Sequence, residues 1–167
     1  LFHNATSGRE LIARLARVGK GLPARVLPIE VHGVATIGID VVLGAIALGA
    51  SQVVSLLDDT GVDEHGALLD QQARIANEIL NGLGYGGTHW QILRAAEAAA
   101  LQAALWSSQP AVTVAEPATF NLSNRKRETL DFAIHHLVQQ ASAPPDEIAL
   151  PAGSPFGTLV VDASRCT

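Results

Sequence analysis

Arg25-Val-Leu-Pro-Ile-Glu-Val31, Gly38-Ile-Asp-Val-Val-Leu-Gly-Ala-Ile-Ala-Leu-Gly49 and Gln52-Val-Val-Ser-Leu-Leu-Asp58-Asp59 follow one another in the chain, and their order decides the fold. The first is a short apolar run ending in His32-Gly33, the second has helical length, and the third is another apolar run. Strand, loop, small-residue helix and buried strand make a βαβ unit, whose strands should run parallel with a right-handed crossover. Glycines at 33, 38, 44 and 49 are expected to let the helix lie close to the sheet, with Gly49 as its C-cap.

Upstream, Leu1-Phe-His3 reads as the tail of a strand, so the sequence is expected to begin inside strand one. Asn4-Ala-Thr-Ser-Gly8 then opens a helix over Arg9–Val18, closed by Gly19-Lys-Gly21, with Thr6 or Ser7 as the N-cap. Downstream, Asp58–Asp63 is a polar loop. Glu64–Leu83 places Leu68, Leu69, Gln72, Ile75, Ala76, Ile79, Leu80 and Leu83 at helical spacing, the mark of a long amphipathic helix. Gly82–Gly87 ends it, Thr88–Leu93 is a strand candidate and Ala95–Trp106 an Ala-rich helix. Ser107–Phe120 reads as a connector carrying one edge strand. Asn124–Ala141 is helical, with Leu130, Ala133, Ile134, Leu137 and Val138 as its apolar stripe, Ser123 as a cap and Pro144-Pro145 as its stop. Glu147–Asp162 suggests a loose hairpin or two edge strands.

Strands alternating with helices predict an α/β fold: a three-layer, open, mostly parallel sheet of flavodoxin- or Rossmann-like type, with helices on both faces and a C-terminal helix plus short edge hairpin. Residues 1–106 form the flavodoxin-like domain, and 107–167 a connector, helix and short strands packed with it as one unit.

With 167 residues, 48% of them apolar, the chain can build one real core. A net charge of −5 with scattered Lys and Arg gives no footprint for nucleic acid. The longest apolar segment, Ile37–Ala50, contains Asp40 and falls short of the roughly 20 residues that span a bilayer. No signal-peptide pattern opens the sequence, and the lone Cys166 excludes an intramolecular disulfide, which fits a reducing cytoplasm.

Gly82-Leu-Gly-Tyr-Gly-Gly87 fits the letters G-x-G-x-x-G, but a dinucleotide fingerprint needs a strand before it and a helix after it. Here a helix precedes and a strand follows, the setting of a helix-terminating loop. Gly33-Val-Ala-Thr-Ile-Gly38 has P-loop glycine spacing, yet Ile39-Asp40 stand where Lys-Ser/Thr must hold phosphate and magnesium, so a nucleotide triphosphatase is excluded. Ligands of open α/β sheets settle at the C-terminal strand ends. Three loops should meet there: Asn4–Gly8, with Asn4, Thr6, Ser7 and Gly8 as candidates; His32–Gly38, with His32 and Gly33; and Asp58–Gly61, with Asp58 and Asp59. The first offers hydroxyls and a helix N-terminus to an anion, although ordinary capping also explains them. His32 can carry a proton or ligate a metal, or be a hydrogen-bonded structural residue. Asp58-Asp59 can bind a cation or simply end a strand. His135 and His136 lie about 100° apart on a helix and do not share a face. Asn124-Arg-Lys-Arg127 is a small basic cluster, either a solvated surface or a docking patch for an acidic partner.

Leu159-Val-Val-Asp-Ala-Ser-Arg-Cys166-Thr167 resembles the entry to a bacterial ferredoxin domain, in which Cys-Thr supplies the first ligand of a C-x2-C-x2-C-x3-C-P motif. Leu150–Gly157 resembles the segment before that motif in multi-domain 4Fe-4S proteins of proteobacteria. The resemblance implies a piece of a longer iron–sulfur protein ending at its first ligand, Cys166. The α/β part, Leu1 to about Glu97, is similar to the delta subunit of methyl viologen-reducing hydrogenases and to domains fused to heterodisulfide reductase components. Val31-His-Gly33 and Ala47-Leu-Gly-Ala-Ser51 carry that likeness. It implies a flavodoxin-like fold in a redox assembly, with dehydrogenase subunits or other redox proteins as partners. Where that subunit holds a [2Fe-2S] cluster with cysteines, this chain has His3, His32 and Asp58-Asp59, which do not supply the thiolates. The reading is therefore a non-catalytic scaffold or docking domain, with 4Fe-4S clusters in the parent and none expected in these residues. An anion- or small-molecule-binding domain using the strand-end loops is the alternative, and self-association through Ala95–Trp106 a third.

Overall fold

The computed structural model describes residues 1–57 and 64–157, without the side chains of Glu64 and His65. Four strands, β1 (Phe2–Asn4), β2 (Ile29–Val31), β3 (Val53–Leu57) and β4 (Trp90–Arg94), form one all-parallel sheet in the order β2-β1-β3-β4. The helices are α1 (Ser7–Val18), α2 (Ile39–Ala47), α3 (Glu64–Gly82), α4 (Ala98–Ser107) and α5 (Lys126–Gln140). The strand order follows the first four places of the flavodoxin-like order 2-1-3-4-5. The expected βαβ unit is β2-α2-β3, and its connection passes over β1, which pairs with both neighbours: Phe2 with Ile29 and with Ser55.

Strand alternation assigns the two faces. Val54 and Leu56 point to one side, where Leu11 and Leu15 of α1 and Leu101 and Leu105 of α4 cover them. Val53 and Trp90 point to the other, against Leu43 and Ile46 of α2 and Ile75, Ile79 and Leu80 of α3. Because both faces are covered, the five residues of β3 read as a nearly unbroken apolar run. Its one polar residue, Ser55, is fully buried, and its Oγ accepts a hydrogen bond from Trp90 Nε1 at 3.0 Å.

Helix α2 is buried almost all round because α5 packs on it, with Ala133 and Leu137 inside the same core. A Cβ at Gly44 would come within 2.7 Å of Leu122 Cδ2, so this glycine makes room for the chain leading into α5 and not for the sheet. Gly49 does end the helix, at φ +102. The N-terminal end of α5 is tied by Ser123, whose Oγ accepts the Arg125 N–H at 3.1 Å, and by Thr129, whose Oγ accepts the Ser123 N–H at 3.0 Å. On the opposite face, the segment after α1 is held on α4. Arg25 Nη2 donates to the carbonyls of Leu105 and Ser108, and Trp106 Nε1 donates to Gly21 O. A guanidinium on the last carbonyls of a helix complements the partial negative charge there.

Two sequence expectations are corrected. Residues 107–120 contain no strand. They run along the core as single anchor points, with the Val112 N–H donating to Gly86 O and the Ala118 N–H donating to Ala47 O. Residues 147–157 contain no strand either, and the rest of the expected hairpin lies outside the described residues. Among the described residues no helix is long and apolar enough to cross a membrane.

Tyr85 links the two parts of the larger core: its phenol donates to Leu137 O of α5 at 2.8 Å. Burial raises the phenol's pKa above its ordinary value. An acid held protonated by the fold makes folding weaker once the unfolded phenol ionises, so stability should fall as the pH passes about 10. Tyr85→Phe is expected to lower stability at neutral pH by about 1 kcal/mol, the worth of one such hydrogen bond. It should also lose part of the alkaline slope, as read by urea melts across pH.

Candidate functional site

In the order β2-β1-β3-β4 the chain leaves β1 toward one edge and β2 toward the other, which puts the topological switch point at the C-terminal ends of β1 and β3. Asn4, the last residue of β1, organises the turn there. Its Oδ1 accepts the Gly8 N–H at 2.7 Å and the Ser7 hydroxyl at 3.3 Å, and its Nδ2 lies 3.1 Å from Ser7 Oγ. Thr6 stands at the N-cap as expected, but the first-turn amide that its hydroxyl was expected to take is taken by Asn4 instead. Thr6 supplies only its carbonyl to the Glu10 N–H, and its side chain makes no cap hydrogen bond. The strand ends pointing at the first turn of α1, so a side chain on the strand reaches an amide that the residues of the turn itself do not.

Gly8 is required by close approach, since a Cβ there would lie 3.0 Å from His3 Cβ and 3.1 Å from Asn4 Oδ1. His3 is buried below, with Nδ1 2.9 Å from Asn4 O. His32 and Gly33 follow β2. Asn4 is in register with Val31, which places His32 one step past the neighbouring strand end. His32 is exposed, and the Gly33 carbonyl accepts the Thr36 hydroxyl at 2.6 Å. Asn4, Ser7 and Gly8 thus form one cluster, with His32 and Gly33 beside it on the next loop. Asp58, Asp59 and Cys166 lie outside the described residues.

The remaining motifs resolve structurally. Gly84 and Gly87 have φ of +91 and +115, and a Cβ at Gly82 would strike the Ile148 side chain, so the three glycines serve a turn and close packing. His136 Nε2 lies 2.9 Å from Glu116 O with its ring edge-on to Phe120, while His135 is exposed. Among the described residues no three His, Cys, Asp or Glu are grouped to hold a metal ion.

A second concavity was not legible in the sequence. A cavity of about 710 Å³ opens between the N-terminal ends of α2 and α5 and the first half of α3. Thr36, Asp40, Gln71, Gln72, Lys126 and Arg127 supply its polar lining. Leu68, expected in the apolar stripe of α3, is 57% exposed and lines this opening. The one sequence signal was an acid inside an otherwise apolar helical run, Asp40 in Ile37–Ala50. Comparison with protein-family models, with curated proteins and with solved structures finds no match to this chain.

Proposed function

We propose that this chain is a non-catalytic docking domain of an iron–sulfur electron-transfer protein. The single observation that carries the reading is the way Asn4 closes the turn after β1. In a flavodoxin-like order the β1/β3 switch point is where a flavin mononucleotide binds, its phosphate taken up by backbone amides at a helix N-terminus. Here Asn4 Oδ1 already accepts the Gly8 amide and the Ser7 hydroxyl. A domain that keeps the layered sheet and satisfies its own cradle is suited to presenting surfaces to redox partners. The likeness of residues 159–167 to a ferredoxin entry supplies the iron–sulfur part of the proposal.

The expected outcome is twofold. Flavin mononucleotide titrated into the protein gives no saturable signal below about 1 mM, a binding energy of only about 4 kcal/mol. Protein extended beyond Thr167 carries further cysteines and shows brown iron–sulfur absorbance. Tight flavin binding, or a colourless extension without cysteines, overturns the proposal.

A further inference from the structure

Asp40 is 8% exposed and stands in the first turn of α2, lining the cavity. Among the described residues no hydrogen bond or ion pair reaches its carboxylate, and its oxygens are not sealed from the cavity as Ser154 Oγ is sealed from solvent. With no protein partner, this carboxylate is left to be satisfied from the cavity it lines. Gly38 lets this carboxylate fold back over the helix start, because a Cβ there would strike Asp40 Oδ1.

Opposite stands a positive wall. Lys126 and Arg127 begin α5 and line the same space, and neither is engaged with a carboxylate among the described residues. Gln72 stands beside Asp40, since Asp40 Oδ1 and Gln72 Oε1 both lie near the place a Cβ would take on Gly38. That Oε1 accepts the Ile39 N–H at 3.2 Å, which fixes the orientation of the amide and leaves Nε2 as a donor beside the cavity. Thr36 and Gln71 add polar groups, and Ile37, Ile39, Ile75, Leu130 and the uncovered Leu68 make the apolar part of the wall. A carboxylate, two cations, an amide donor and hydrocarbon around one space describe the complement of a molecule with an ammonium group, an anionic group and an apolar body.

We infer that this cavity binds a small apolar zwitterion, a free aliphatic amino acid or a short apolar peptide, with its ammonium group on Asp40 and its carboxylate toward Gln72, Lys126 and Arg127. The volume lies within the range of small-molecule sites, about 300–1,000 Å³. The inference is independent of the docking role, since the cavity lies away from the Asn4 turn.

Calorimetric titration with L-leucine, L-leucyl-L-leucine and their N-acetyl and C-amide forms tests it. Saturable binding is expected for at least one of the two zwitterions, and which of them binds separates a free amino acid from a peptide. N-acetylation should weaken binding by about tenfold or more, as should Asp40→Asn, which removes the charge with little change of shape. Gly38→Ala, whose backbone conformation is ordinary, should weaken it similarly by displacing Asp40. Lys126→Ala with Arg127→Ala should lower affinity for the zwitterion but leave the amide form unchanged. No saturation by either zwitterion, or N-acetyl forms binding as well as the free amines, overturns the inference without recourse to any variant.

Discussion

Trp90→Ala is expected to be among the most damaging single changes in the larger core, lowering unfolding free energy by about 3–5 kcal/mol. Trp90 is 1% exposed at the start of β4 and packs in the core shared by α2, α3 and α5. Its removal leaves a cavity that neighbours already locked in helices fill only partly. It also strips Ser55 Oγ of the indole donor, leaving a hydroxyl fully buried. A domain of this size is stable by about 5–15 kcal/mol, so the variant should lose about a fifth or more of its margin. Urea unfolding read by far-ultraviolet dichroism measures the loss. Trp90→Phe separates the causes, because it keeps most of the volume and removes the N–H. A midpoint for Trp90→Ala within experimental error of the parent would show that β4 does not anchor this core.

Gly87→Ala is the second large effect, expected at about 1–3 kcal/mol for the backbone conformation alone. At φ +115 the backbone is one that side chains with a Cβ rarely adopt. The new methyl would also lie 2.8 Å from Ala111 Cβ and 3.1 Å from Ala111 Cα, and the second of these is backbone that does not swing aside. Ala111 is itself buried, and Val112 next to it is bonded to Gly86 O. Gly84→Ala is the comparison, since φ there is +91 but nothing lies within 4 Å of an added Cβ. The difference between the two urea midpoints isolates the collision with residue 111. Equal midpoints would mean that the connector yields freely.

The larger elements were legible because their signals are local. The period of α3, the apolar run of β3 and the glycines that follow α1, α2 and α3 all report on neighbours within a few positions. Parallel pairing and two covered faces followed from the alternation of strand and helix. What could not be read was whatever depends on a distant segment. Gly44 looked like a contact with the sheet, yet the residue that needs its missing Cβ is Leu122. Leu68 sits at a core position of the helical period and is nonetheless uncovered, because no described segment closes over the start of α3. Asn4, Ser7 and Gly8 do come together at the strand end, but the helix start expected to be capped by a hydroxyl is met by the side-chain amide of Asn4. The cavity around Asp40 was missed since its walls come from residues 35–40, 68–75, 126–130 and 153–155, which no spacing rule joins.

The central position of β1 has a consequence for the order of events during synthesis. Of the four strands, β1 is made first and must end between Ile29–Val31 and Val53–Leu57, so the middle of the sheet is made before either flank. Contacts so far apart along the chain form slowly, because the intervening loop must first be closed. Until Ser55 emerges, β1 has at most the three-residue β2 beside it.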